Sequence, residues 1–136
     1  MAVMRIAINV VIFALFFLTE LKNLSWTTWS LVFITSELLD TASTFASVRR
    51  DNWDWRKEQN LRIQSMGRKM GFVRATWVHT LLVILIILYT TLLISFVSHL
   101  LATLILVWLS AVKIDVSIHN FSYAFTGKFI PCLVVK

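Results

Sequence analysis

Glu37, Asp40, Thr44 and Ser47 recur three or four residues apart in an otherwise apolar stretch, a spacing that places all four on one helix face. A carboxylate within bilayer hydrocarbon costs on the order of 2.5–3.5 kcal/mol, so such groups turn toward a bundle interior, a partner chain or a water-filled cavity. Two kinds of work fit the stripe. It could be a proton or cation site, or a polar contact that fixes helix packing within the bundle or against another subunit. The other apolar runs offer no Lys or Arg expected at the same depth. The carboxylates are therefore expected to be protonated, hydrogen-bonded to hydroxyls such as Thr90 and Thr91, or metal-bound.

A second polar group is expected near one membrane face: Glu58, Asn60, His79, Asp115 and His119. Asp115 and His119 stand four apart and share a face if their helix continues that far. Asp40, His79 and His119 are of types that suit a divalent metal, yet their spacing matches no recognised metal motif. An interfacial His also serves as a polar tip on an apolar body. No nucleophilic constellation, phosphate loop or dinucleotide fingerprint is present, nor any Cys pair, Cys132 being the single cysteine. No catalytic residue, metal or cofactor is expected on these grounds.

The elements that must position these residues follow from composition. Of 136 residues, 58 % are hydrophobic and 15 % charged, with three Gly and one Pro. That is too few charges for a soluble shell and too little turn chemistry for a β-rich fold. The class is all-α and integral membrane, a single domain over 1–136 with about four transmembrane helices. A bilayer core takes roughly 20 apolar residues per helix. The first span is read at 5–20, with Glu20 and Lys22 where a signal peptide would carry a small-residue cleavage site. The second is read at 26–48, with Trp26 and Trp29 at one end and Arg49-Arg50 at the other. Ala75 to Val112 carries no Asp, Glu, Lys or Arg and is too long for one crossing. It divides best at Ser98-His99, into spans at 75–96 and 100–116. The tail 117–136 is expected to lie at the interface or against a neighbouring subunit.

The connection 49–74 holds eight of the 13 basic residues. Lys and Arg beside span ends resist translocation, so this loop and both termini are expected on the cytoplasmic side of the cell membrane; an organelle membrane is the alternative. Ile63, Met66, Met70 and Val73 recur on one helix face, with Arg62, Arg68 and Lys69 largely off it. Such a helix can lie on anionic lipid, with Trp53 and Trp55 as further anchors, or pack its stripe on the protein's own spans. The net charge of +6 is thereby assigned to topology and lipid contact and not to nucleic acid.

Asp40-x3-Thr44 late in a span, followed by Glu58-x-Asn60, resembles the pattern of a family of small four-span prokaryotic membrane proteins of unknown function. That family carries Asp-x3-Thr and then Glu-x-Asn-Pro. The resemblance covers roughly residues 30–100. Leu61 stands where the family has Pro, and the connection is longer and more basic. The resemblance implies a topology and no mechanism. The functional expectation is a non-catalytic accessory subunit of a larger integral-membrane complex, such as a respiratory complex or a membrane-bound methane or ammonia monooxygenase. The alternative is a small oligomeric ion or metabolite transporter using Glu37 and Asp40.

Overall fold

A computed structural model describes residues 26–54 and 60–128; the span expected at 5–20, Trp55, Glu58 and Cys132 lie outside the described residues. The described chain is all-helical: α1 (Trp26–Arg50), α2 (Leu61–Met70), α3 (Phe72–Ser95) and α4 (His99–Thr126). Three of these, α1, α3 and α4, are long and apolar enough to cross a membrane. At 1.5 Å per residue they measure roughly 36–42 Å, against a hydrocarbon thickness of ~30 Å.

Each boundary has a local cause. Asn60 opens α2 by accepting hydrogen bonds from the Arg62 and Ile63 amides, the usual work of an N-capping side chain. Gly71, at φ +86°, separates α2 from α3, a left-handed conformation that glycine adopts without strain. Between α3 and α4 the chain turns through Phe96 and Val97, and Ser98 caps α4 by accepting from the Leu101 amide at 3.3 Å. The turn falls where the sequence places it, with a capping Ser in place of Gly or Pro.

The far end of α4 departs from expectation. The helix does not stop near residue 116 but runs to Thr126 and closes on Gly127, which is left-handed (φ +73°) and returns its amide to the Tyr123 carbonyl at 2.9 Å. The stretch 117–126 is therefore a continuation of the α4 helix. Polar residues such as Ser117, Asn120 and Ser122 lower hydropathy there without breaking the helix, and the C-terminal glycine is the stop.

α1 packs most extensively on α4, and α3 contacts both. Contacts advance together along α1 and α4, from Asp40 with Lys113 to Asp51 with Tyr123, so the two run parallel. They run against α3, where Trp26 meets Thr91 and Thr41 meets Thr80. Phe33, Ala75, Ala102 and Leu106 are buried, but Ser and Thr fill much of the remaining interior. Small side chains let helix backbones approach closely, and the hydroxyls are satisfied on their own helices. Ser36 donates to Phe33 O, Ser110 to Leu106 O and Ser117 to Lys113 O.

A small cluster of Val48, Ile63 and Phe72, flanked by Phe45, docks α2 on the ends of α1 and α3. The expected apolar stripe is thus divided. Ile63 faces the protein, whereas Met70 and Val73 are exposed.

Candidate functional site: an ion triad between α1 and α4

The midpoint of α1 falls between Glu37 and Asp40, and the midpoint of α4 falls at Lys113. Because the two helices are parallel neighbours, these three groups meet midway along them. The Lys113 Nζ lies 2.9 Å from Glu37 Oε1 and 3.0 Å from Asp40 Oδ2. It donates an aligned hydrogen bond to Asp40. Its approach to Glu37 is as close but off the hydrogen-bonding direction, and Glu37 Oε1 accepts no aligned hydrogen bond. An ammonium between two carboxylates offsets in one step their mutual repulsion and much of their desolvation.

This corrects the expectation that no Lys or Arg reaches the depth of Glu37 and Asp40. A span at 100–116 puts Lys113 near its end, but the helix continues for thirteen residues beyond it. It also corrects the expected hydroxyl partners. Thr90 is exposed. Thr91 lies at the other end of the bundle, where it accepts from Trp26 Nε1 at 3.3 Å.

The triad is unevenly accessible. The Glu37 side chain is 2 % exposed, Asp40 16 % and Lys113 22 %. Glu37 thus forms the closed end of the site and Lys113 its open side. Leu38 and Leu39, beside the carboxylates in sequence, are exposed on the outer surface of α1.

Toward the end of the bundle that carries Arg49 and Arg50, the polar face of α1 continues through Thr44 and Ser47. Thr44 and Ser43 accept from the Asn120 amide at 3.5 and 3.3 Å, while Ser47 donates to Thr44 O. On the α3 side the Thr41 and Thr80 hydroxyl oxygens lie 2.7 Å apart. Asn120, Thr41 and Thr80 were not singled out by the sequence, since lone polar residues carry no motif; the signals are helical offsets of four from Glu37 to Thr41 and seven from Lys113 to Asn120, and Thr80, on a different helix, has none.

The contacts end in a clasp. Tyr123 donates to Asp51 Oδ1 at 2.6 Å. Arg50 donates to the Ala124 carbonyl at 2.9 Å, supplying a partner to one of the last carbonyls of α4. The Arg50 guanidinium also sits 5.8 Å from the centre of the Tyr123 ring, within cation–π range.

The second expected cluster is only partly assembled. Asn60 Nδ2 lies 3.5 Å from His79 Nε2, which brings the start of α2 alongside the second turn of α3. His79 is also within electrostatic reach of Lys113, Arg62 and Asp40. Asp115 is buried and His119 half-buried on α4. Among the described residues no three His, Cys, Asp or Glu side chains converge as a metal-holding group. Lys113 stands where a metal cation beside Asp40, with His79 and His119, would have to sit. Trp53, Arg62, Arg68 and Lys69, read as a lipid surface, are all exposed.

No family model, curated protein or solved structure matches this chain.

Proposed function

We propose that the protein is a non-catalytic accessory subunit of a larger integral-membrane complex, with its basic connection on the cytoplasmic side of the cell membrane. The observation that carries this reading is the use made of the mid-depth charges. Glu37, Asp40 and Lys113 tie α1 to α4, and the contacts at Asn120, Thr41 and Tyr123 extend the same seam. That is the economy of a scaffold, in which polar groups fix which helices pair and in what register. Most of the apolar side chains of α3, among them Leu81, Leu85 and Leu93, stay exposed, a surface suited to lipid and neighbouring subunits. Respiratory complexes and membrane-bound methane or ammonia monooxygenases are hosts of the right class. Purification in mild detergent followed by native mass spectrometry tests the reading. Stoichiometric co-purification of other integral-membrane chains is the expected result, and a lone monomer or homo-oligomer would end it.

A second reading is favoured by one observation. Exposure falls from Lys113 and Asp40 to the enclosed Glu37, the gradient an ion would follow to a coupling site in a small oligomeric transporter. Flux into liposomes through the parent protein, abolished by Glu37→Gln or Asp40→Asn, would establish it. Flux indifferent to both substitutions would remove the triad from any transport mechanism.

A further inference from the structure

The outward face of α3 is lined by Val78, Leu81 and Leu85, a stripe at i, i+3 and i+7 that continues back to Arg74 at i−4. Arg74 is exposed and lies about 14 Å from the helix midpoint at 1.5 Å per residue. Half of a ~30 Å hydrocarbon core is ~15 Å. With α3 centred in the bilayer, the stripe leaves the acyl region and meets the phosphate layer at Arg74. Around this point Gly71 turns the chain from α3 into α2, which brings Arg68 and Lys69 of the last α2 turn to the same junction. All three cations are exposed, and the ion pairs among the described residues involve none of them. Just below, Met70, Val73 and Trp77 are 41 %, 51 % and 45 % exposed. Ile63 and Gly67 are turned inward, holding α2 in place.

We propose that the α2–α3 junction is a binding site for an anionic phospholipid. Arg68, Lys69 and Arg74 take the headgroup phosphate, and Met70, Val73 and Trp77 take the first part of the acyl chains. Charge complementarity selects the headgroup. Continuity with the lipid-facing stripe of α3 selects a lipid over a soluble anion, because the cations are joined to an apolar surface that no soluble phosphate would cover. The proposal does not depend on the accessory-subunit reading; a transporter with the same junction would bind the same lipid.

Trp77 is a reporter at the site. The full-length protein is reconstituted in phosphatidylcholine vesicles containing a small fraction of acyl-brominated phosphatidylglycerol or, separately, acyl-brominated phosphatidylcholine. The Trp77 component is the difference between the parent and Trp77→Phe. Stronger quenching by the brominated phosphatidylglycerol is expected, corresponding to local enrichment on the order of fivefold per basic group near the headgroups. The Arg68→Gln, Lys69→Gln, Arg74→Gln triple variant should quench equally with either lipid. These are exposed positions, and unchanged far-ultraviolet circular dichroism verifies that the variant is folded. Equal quenching of the parent by both lipids would overturn the proposal. So would loss of the preference on adding inorganic phosphate at constant ionic strength, which would identify a soluble-anion site.

Discussion

Lys113 and Glu37 meet at 2.9 Å midway along two parallel helices, with Asp40 sharing the same ammonium at 3.0 Å. Removing one member of such a set leaves the others buried and uncompensated, which is more damaging than removing all of them. Lys113→Met should therefore destabilise the bundle by about 3–5 kcal/mol, measured by unfolding in mixed detergent and dodecyl sulfate. Adding Glu37→Gln and Asp40→Asn to Lys113→Met should recover much of that loss. A Lys113→Met protein as stable as the parent would show that the triad does not hold α1 to α4.

The Thr41 and Thr80 hydroxyls, 2.7 Å apart, join α1 to α3. Interhelical hydrogen bonds in membranes average about 0.6 kcal/mol, because the unpaired hydroxyl retains a carbonyl partner on its own helix, as both do here. A double-mutant cycle with Thr41→Val and Thr80→Val should give a coupling of about that size. Strict additivity of the two substitutions would mean that they do not touch.

Gly127 ends α4 in a left-handed conformation, and a Cβ there would collide with the Arg50 guanidinium. Gly127→Ala should cost about 1–2 kcal/mol from the backbone conformation alone and displace the Arg50 side chain from the Ala124 carbonyl. In an Arg50→Ala background the cost should fall, since only the conformational part remains. An equal cost in both backgrounds would dissociate Gly127 from the clasp.

The proposed orientation can be read with a membrane-impermeant maleimide in a Cys132→Ser background. Ser65, exposed on α2, and Val97, 90 % exposed in the α3–α4 turn, lie at opposite ends of α3. In intact cells Val97→Cys should label and Ser65→Cys should label only after lysis. The reverse pattern would invert the topology, and labelling of both from outside would show that α3 does not cross.

Much of this architecture is legible in the chain because hydropathy is a local property. The apolar runs over 26–48 and 75–112 and the Ser98 turn are each set by side chains within a few residues, and the helices follow them. The polar stripe of Glu37, Asp40, Thr44 and Ser47 was legible for the same reason, since helical periodicity is local too. The extent of α4 was not. The apolar run ends at Val112, but a helix ends where its carbonyls find other partners, and here that is fifteen residues later, at Gly127.

The partner of the carboxylates belongs entirely to tertiary structure. Whether Lys113 snorkels to a membrane face or neutralises Glu37 and Asp40 depends on which helix lies beside α1, in which direction and at what offset. That offset is decided by the sum of many weak contacts, among them Asn120 with Thr44 and Tyr123 with Asp51, separated by more than 70 residues of chain. None of these pairs carries a sequence motif. Side-chain identity set the need for a compensating charge within the membrane, and only helix packing determined that Lys113 meets it.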